Sequence, residues 1–226
     1  MTQGLLVKMF LYTVAGIFSG IYCLITTEKI VAYKCKKKNI KASEYVWSMD
    51  EKRLCVLVTT GLFVSTGYLF PGQLSVLICI FSFIAVIGAL VDYRVRIIPN
   101  EMVVTIFALG VLYNVIEGGW IQLCLSFAAG VGTFFLFLLA ARLTFILTKN
   151  FGVGAGDVKL AFAASFAVGW QRLTWFYLGI VIALTAYILL GFYFKKLKIG
   201  STFPMGGQIM GGFIAAYLLP VLLPLI

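Results

Sequence analysis

Long apolar runs separated by short polar connections dominate the sequence. A helix of about 17–25 apolar residues crosses the roughly 30 Å of hydrocarbon in a bilayer. Six runs have that length. Two further runs, 103–116 and 160–170, are shorter and need a tilt or flanking residues to reach across. The eight predicted segments are residues 5–25, 54–70, 74–91, 103–116, 121–141, 160–170, 174–194 and 209–226. We therefore predict an all-α, polytopic integral membrane protein with about eight transmembrane segments.

The composition excludes a water-soluble protein. Hydrophobic residues make up 62% of the 226 residues and charged residues 12%, whereas soluble domains average about 45–50% and about 25%. The chain contains no histidine, which removes Ser-His and Cys-His triads and histidine-liganded metal sites. Its five cysteines form no CxxC pair, so the spacing favours neither a zinc ribbon nor a disulfide framework.

The basic residues alternate between the two sides of the predicted bundle. The connections after the first, third, fifth and seventh segments hold all of the 18 lysines and arginines except Lys8 and Arg172. By the positive-inside rule these four connections are cytoplasmic and both termini lie outside. We interpret residues 1–53 as an uncleaved signal-anchor helix plus a basic cytoplasmic segment, a helical hairpin or loop, that lies against anionic headgroups. Residues 54–226 form the transmembrane core, with one membrane domain overall.

Three of the eight acidic residues lie at cytoplasmic ends of apolar segments. An acid at a membrane boundary costs less than one at the bilayer centre, but the positions of Asp92 and Asp157 still need an explanation. Asp92 alone could simply pair with Arg94 or Arg96. We interpret the third, Glu101, as structural and the others as solvated surface residues: Glu28, Glu44, Asp50, Glu51 and Glu117.

Asp157 follows three glycines in alternate positions, in the segment Phe-Gly-Val-Gly-Ala-Gly-Asp of residues 151–157. Such glycines allow unusual backbone angles and the close approach of another chain. The P-loop pattern is absent. Small residues also bring membrane helices together, but helix packing does not require an aspartate after the glycines. For the GxxxG pairs Gly16–Gly20 and Gly207–Gly211 we favour packing.

Asp92 and Asp157 suggest a pair of carboxylates that share one proton. In such a pair the ionised carboxylate takes a proton from water while the protonated one polarises a peptide carbonyl. This chemistry cleaves a peptide bond without histidine, metal or an activated serine. Glycines beside one carboxylate would let a substrate backbone lie against it. We expect the two carboxylates to meet near the cytoplasmic face, with residues 152–156 partly unwound.

Three motifs make the chain resemble the type IV prepilin peptidases, membrane aspartyl peptidases of the GxGD type. Residues 154–160, Gly-Ala-Gly-Asp-Val-Lys-Leu, are similar to the family's G-x-G-D-x-K-L. Asp92 followed by Ile98-Pro99-Asn100 resembles its second aspartate motif, and residues 203–206, Phe-Pro-Met-Gly, resemble its short P-[FY]-G element. The motifs occur in the family's order and the resemblance covers about residues 54–226.

The resemblance implies cleavage of the short basic leader of a pilin or pseudopilin precursor after a glycine, at the cytoplasmic face of the cell membrane. It assigns catalysis to Asp92 and Asp157. It implies substrate binding by Gly154, Gly156, Pro99, Asn100, Lys159, Pro204 and Gly206, although Lys159 could equally be a positive-inside anchor. We expect the pilin-like precursor and the lipid bilayer as partners, no nucleic acid, and neither a metal nor another cofactor.

Two alternatives stay open. Many bacterial members carry zinc-binding CxxC pairs after the first helix and also methylate the new N-terminus with S-adenosylmethionine. Residues 26–53 contain only Cys35, so a compact, peptidase-only member fits best and a bifunctional enzyme is an alternative. A transporter or non-enzymatic scaffold could instead use Asp92 and Asp157 as ion or proton sites. Presenilin-type peptidases are disfavoured because Val91 precedes Asp92 and no Pro-Ala-Leu element occurs.

Overall fold

The protein is helical throughout the part of the chain described by the computed structural model, residues 2–38, 47–149, 153–193 and 204–223. A short 3-10 turn, Trp170–Arg172, connects the fifth and sixth helices. The helices are α1 (Thr2–Lys38), α2 (Met49–Leu69), α3 (Gly72–Val95), α4 (Asn100–Thr148), α5 (Ala155–Val168), α6 (Leu173–Tyr193) and α7 (Met205–Leu222). The predicted all-α class is confirmed.

Several helices are long and apolar enough to cross a bilayer, which makes this a multi-pass membrane protein. The described residues contain five such stretches: Gly4–Lys37, Gly72–Val95, Asn100–Ile146, Trp170–Tyr193 and Met205–Leu222. By contrast, α5 has 14 residues and is only about 21 Å long. The number of eight crossings stays a prediction.

The chain forms two compact units, Met1–Val95 and Arg96–Ile226. The first contains α1, α2 and α3, and the second contains α4 to α7. The organisation predicted from the sequence, with an anchor and loop up to residue 53 and a membrane core after it, stays a prediction.

In the first unit, α1 continues well beyond the apolar run at residues 5–25. Its extension to Lys38 contains neither glycine nor proline, and its lysines, alanine and glutamate are good helix formers. The buried positions Cys23, Thr27, Val31 and Cys35 recur every four residues, which keeps one face of α1 packed along the extension. The basic connection therefore begins as a helix, up to Lys38.

The pair Gly16–Gly20 packs α1 against α2. A Cβ atom at Gly16 would lie 2.7 Å from Cα of Thr60, and one at Gly20 would lie 2.7 Å from Cα of Val56. Only glycine allows the two backbones to approach this closely. The packing role predicted for this pair is confirmed.

In the second unit, α4 is bent back on itself at Gly119. That glycine has φ 66° and ψ −153° inside an otherwise helical stretch of 49 residues. The hydroxyl of Ser126 donates to Oδ1 of Asn114 at 2.7 Å, whereas residues 12 apart in a straight helix are separated by about 18 Å. The helix is therefore a hairpin with arms 100–118 and 120–148, and the arms contain the predicted segments 103–116 and 121–141.

Helix α5 lies in the core of the second unit, in contact with both arms of α4. A Cβ atom at Gly110 would lie 2.8 Å from Cα of Ala167, and one at Gly130 would lie 3.1 Å from the ring of Phe162. Nine of the 14 residues of α5 are buried, and four of the nine are alanines. The helix can be short because it is surrounded by protein on most sides.

Helices α6 and α7 meet through glycines. A Cβ atom at Gly179 would lie 2.8 Å from Cα of Gly212, and one at Gly211 would lie 3.3 Å from Cβ of Ala183. Packing was expected for the pair Gly207–Gly211. Gly211 does face α6, but the closest backbone approach comes one residue later, at Gly212.

Candidate active site

Asp157 lies in the first turn of α5, the buried helix of the second unit. Gly154 precedes this helix with extended angles, φ −75° and ψ 152°. The N–H of Gly154 donates to Oδ2 of Asp157 at 3.0 Å. Exposed N–H groups and the helix dipole favour a negative charge at this end of a helix. The sequence therefore places an acid where its ionised form is stabilised.

Residues 152–156 are unwound only in part. Val153 and Gly154 are non-helical, while Gly156 already belongs to the first turn of α5. Gly152, the other end of the predicted segment, lies outside the described residues.

Each of the two glycines beside Asp157 has a close neighbour. A Cβ atom at Gly154 would lie 3.0 Å from Oδ2 of Asp157, and one at Gly156 would lie 3.4 Å from Cβ of Ile98. Gly156 thus lies against the first residue of the Ile98-Pro99-Asn100 motif. Two motifs that are more than 50 residues apart in the chain are neighbours in the second unit.

Pro99 and Asn100 form the beginning of α4. Pro99 is the N-cap residue with φ −65° and ψ 129°, and its carbonyl accepts from the N–H of Met102 at 3.1 Å. The fixed φ of proline suits the entry to a helix. Pro99 is buried, whereas Asn100 and Glu101 are exposed. Glu101 lies in the first turn of α4, where an acid is favoured by the helix dipole, and its structural role stays a prediction.

Pro204 and Gly206 begin α7. Pro204 is the N-cap residue with φ −72° and ψ 109°, and both residues are buried. Phe203, the first residue of this motif, lies outside the described residues. On α5, Lys159 is exposed, which is compatible with either of its two predicted roles.

Asp92 belongs to the first unit, in the last turn of α3. Its side chain is 4% exposed, and Ala85 and Gly88 continue the same buried stripe toward the middle of the helix. Beyond it, the guanidinium of Arg94 lies over the ring of Trp47, with 4.1 Å from Cζ to the ring centroid. The chain leaves α3 through Arg96, which has a left-handed φ of 51°. The pairing of Asp92 with Asp157 stays a prediction.

Comparison with known families decides the class of the protein. A model of the type IV leader peptidase family matches residues 76–195, more than half of the chain. The chain belongs to the type IV leader peptidase family. The matched region contains Asp92, Ile98-Pro99-Asn100 and the loop with Asp157, and it ends before Pro204. The protein is therefore a peptidase of the membrane, and the resemblance seen in the motifs is confirmed.

A curated relative supports the same assignment. The chain is 22% identical over 182 residues to the prepilin leader peptidase/N-methyltransferase of Escherichia coli (strain K12), which covers 78% of this chain and 80% of that protein. No solved structure matches the chain significantly.

The leader peptidase also contains a polar cluster that the sequence analysis missed, next to the bend of α4. Arg172 donates to both carboxylate oxygens of Glu117, with 2.8 Å from Nη1 to Oε2. Both side chains are only 18% exposed. The prediction that Glu117 is a plain surface residue is wrong. Arg172, in the short turn after α5, lies beside Glu117 and pairs with its carboxylate. The available signal was that Glu117 and Arg172 are lone charges of opposite sign in connections predicted to lie outside.

Aromatic and amide side chains extend this cluster into the peptidase core. The hydroxyl of Tyr113 donates to Glu117 at 3.3 Å. The guanidinium of Arg172 lies 5.8 Å from the ring centroid of Tyr113 and 5.9 Å from that of Tyr217. Nδ2 of Asn114 donates to the carbonyl of Phe166 at 3.0 Å. These contacts tie α4, α5 and α7 together and so hold the helix that carries Asp157.

The described part of the peptidase contains no group of three or more histidine, cysteine, aspartate or glutamate side chains arranged to hold a metal ion. Cys35, the only cysteine of the basic segment, is buried on α1.

Proposed function

We propose that this leader peptidase is an aspartyl endopeptidase that removes the short basic leader from type IV pilin-like precursors. Cleavage would follow a glycine at the cytoplasmic face of the cell membrane. Asp92 and Asp157 would form the catalytic pair. The main support is the family match, because it includes both aspartates within their motifs.

The proposed mechanism uses one ionised and one protonated carboxyl group. The ionised group takes a proton from water, and the resulting hydroxide equivalent attacks the carbonyl carbon of the scissile bond. The protonated group donates to the carbonyl oxygen. The diol intermediate then collapses, the C–N bond breaks and the amide nitrogen takes up a proton.

The surroundings of Asp157 favour the ionised form for that residue. It accepts a hydrogen bond from the backbone of Gly154 and lies at the N-terminal end of a helix. Asp92 is buried in the last turn of a helix, where the dipole disfavours a negative charge. We therefore assign Asp157 as the base that activates water and Asp92 as the acid that polarises the carbonyl.

The remaining motif residues would form the substrate site. Pro99 and Asn100 begin α4 beside the glycine loop, and Gly154 and Gly156, which have no side chains, would let a substrate backbone approach. Pro204, Gly206 and Lys159 are assigned to this site by motif position. The positive-inside pattern supports a cytoplasmic active site with both termini outside, together with contact between the basic segment and anionic headgroups.

A cleavage assay tests this proposal. The purified protein, in detergent or proteoliposomes, is incubated with a precursor whose lysine-rich leader ends in Gly-Phe. Mass spectrometry of the product should find cleavage after the glycine. Asp92→Asn and Asp157→Asn should each lower kcat by at least about 100-fold, since each removes one proton-transfer group.

Glu101→Gln is the matched control for these variants. It neutralises an exposed acid of the same region and should keep most activity. An Asp92→Asn or Asp157→Asn protein with wild-type activity would overturn the catalytic pair. Wild-type protein that is folded but cleaves none of several such precursors would overturn the proposed substrate class.

N-methylation of the new N-terminus is a second candidate activity. It is favoured by the name of the Escherichia coli relative, a leader peptidase/N-methyltransferase. Adding radiolabelled S-adenosylmethionine to the same assay tests it, and label in the cleaved product would establish a bifunctional enzyme. The transporter and scaffold alternatives are set aside, because the family match is to peptidases.

A further inference from the structure

The first arm of α4 and α5 run in the same direction through the second unit. Near their beginnings, a Cβ atom at Gly156 would lie 3.4 Å from Cβ of Ile98. Near their ends, Nδ2 of Asn114 donates to the carbonyl of Phe166 at 3.0 Å. The motifs that contain Ile98 and Gly156 therefore lie at one end of the unit, and the polar contact lies at the opposite end.

Helix α7 runs in this direction as well. The second arm of α4 returns from the bend toward the beginning of α5, and a hydrogen bond of 2.7 Å joins Tyr177 of α6 to that arm. Because α6 follows the end of α5, it also runs back along the unit. Helix α7 is antiparallel to α6, since Gly179 meets Ala215 and Ala183 meets Gly211. The beginning of α7 is therefore at the same end of the unit as the beginnings of α4 and α5.

Two side chains from the neighbouring helices hold the far end of α5. The last four carbonyls of a helix have no partner within it, and a buried carbonyl without a donor is costly. Asn114 of α4 donates to the carbonyl of Phe166 at 3.0 Å, and the hydroxyl of Tyr217 of α7 donates to that of Ala167 at 2.8 Å. We call Asn114 and Tyr217 the distal clamp, because Asp157 lies at the other end of α5.

The distal clamp is itself held in place by other contacts. Oδ1 of Asn114 accepts from the hydroxyl of Ser126 at 2.7 Å. The ring of Tyr217 packs edge-on against that of Tyr113, with 5.2 Å between the centroids. Both clamp side chains are completely buried. Each donor therefore has a position that does not depend on its bond to α5, so it can fix the helix rather than follow it.

The bonds of the distal clamp act along the axis of α5. Helix carbonyls point along the axis, so donors at the last carbonyls resist sliding in that direction. Packing on the sides of α5, such as the stack of Phe166 on Phe107 with 4.5 Å between centroids, mainly resists sideways movement. Four of the nine buried residues are alanines, whose small side chains interlock little with the neighbours. The clamp is therefore the directional restraint on the height of α5.

We propose that Asn114 and Tyr217 are positioning residues for catalysis, which set the height of Asp157 relative to the beginnings of α4 and α7. This inference rests on the proposed function, in which Asp157 is a reacting group. Ala167 is ten residues from Asp157, about 15 Å along the helix. A helix transmits an axial shift over that distance, and misplacing a reacting group by about 1 Å can lower the rate about 100-fold.

Kinetics of two variants test the proposal. Tyr217→Phe removes the hydroxyl and keeps the ring, and Asn114→Leu removes the other donor at similar size. In leader cleavage, each should lower kcat about 10- to 100-fold, because the reacting group is displaced. KM should change by less than about threefold, because the substrate contacts are spread over several residues.

Tyr177→Phe is the matched control. It also removes one hydroxyl from the second unit, but this hydroxyl joins α6 to α4 at 2.7 Å rather than holding α5. Tyr217→Phe and Tyr177→Phe should each lower the Tm, since each loses a hydrogen bond between helices. The kcat of Tyr177→Phe should stay within about twofold of wild type well below the Tm. A purely structural role of Tyr217 predicts the same for Tyr217→Phe.

A disulfide measurement reports the height of α5 without any substrate. The protein carries Ile98→Cys and Gly156→Cys, whose Cβ atoms would be about as close as in a disulfide. The exposed Cys124 is replaced by serine, and the other native cysteines are buried. After oxidation with diamide, the bond is quantified by mass spectrometry of a digest. Adding Tyr217→Phe should slow its formation at least about fivefold, since the Cβ atoms no longer meet, whereas adding Tyr177→Phe should not.

The outcomes separate this proposal from the proposed function. Wild-type kcat in folded Tyr217→Phe, or an equal loss of kcat in Tyr177→Phe, would overturn the positioning role. Unchanged disulfide formation in the presence of Tyr217→Phe would overturn it as well. Absence of cleavage by the wild type would instead overturn the proposed function, and the disulfide measurement would then still decide whether the distal clamp sets the height of α5.

Discussion

The substitution Gly154→Ala tests whether the glycine before Asp157 keeps the carboxylate in place. Gly154 has φ −75° and ψ 152°, angles that alanine adopts without strain. The backbone would therefore tolerate the change. The added methyl group, however, would lie 3.0 Å from Oδ2 of Asp157, closer than a carbon and an oxygen normally approach, so the carboxylate must move by a few tenths of an ångström.

The size of the effect follows from the contact that this movement weakens. Oδ2 accepts from the N–H of Gly154 at 3.0 Å, and a hydrogen bond to a charged group contributes about 1.5–3 kcal/mol. If the carboxylate loses this bond and its alignment, kcat/KM should fall about 10- to 150-fold, at 1.36 kcal/mol for each factor of ten. Most of the loss should be in kcat, because the reacting group rather than the binding surface has moved.

The assay is leader cleavage at several precursor concentrations, with thermal unfolding in detergent measured in parallel. Gly132→Ala is the control, since a Cβ atom there has no neighbour within 4 Å. Gly156→Ala should lose less activity than Gly154→Ala, because its Cβ atom would meet Ile98 at an ordinary 3.4 Å. A folded Gly154→Ala protein within threefold of wild-type kcat/KM would refute the reasoning.

Three further predictions concern the scaffold. Arg172→Met should destabilise the folded protein by about 3 kcal/mol and Glu117→Gln by a similar amount, since each removes the opposite charge from a mostly buried partner. Additive effects in a double-mutant cycle, measured by chemical unfolding, would contradict this pairing. Gly20→Ala should lower the stability by about 1–3 kcal/mol through overpacking against α2, whereas Gly61→Ala, with open space around it, should not lower the Tm. Gly169→Ala should cost about 1–3 kcal/mol in the same measurement, because φ 83° with ψ 167° is open only to glycine, and an unchanged Tm would contradict that.

The helices and the class of the protein were predictable because their signals are local. An apolar run of 17 or more residues forms a helix in a membrane whatever its neighbours are. The motif around Asp157 was equally readable, because a glycine loop before an aspartate is a property of seven consecutive residues. The length of α1 was underestimated, since its extension is helical through propensity and a buried face rather than through an apolar run.

The contacts between distant residues were not predictable. Nothing in the local sequence indicates that Gly156 meets Ile98, that Asn114 and Ser126 face each other across a bend, or that Arg172 reaches Glu117. Each contact depends on which helices become neighbours.

The sequence by itself determined the helical segments, their confinement to a membrane and the family to which the peptidase belongs. Hydrophobic run length, charge distribution and short motifs act within one helix or one loop, so they can be read along the chain. The tertiary structure decided how α5 is held and what surrounds the carboxylate of Asp157. These features arise from packing between helices, which depends on shape and on polar partners many residues away.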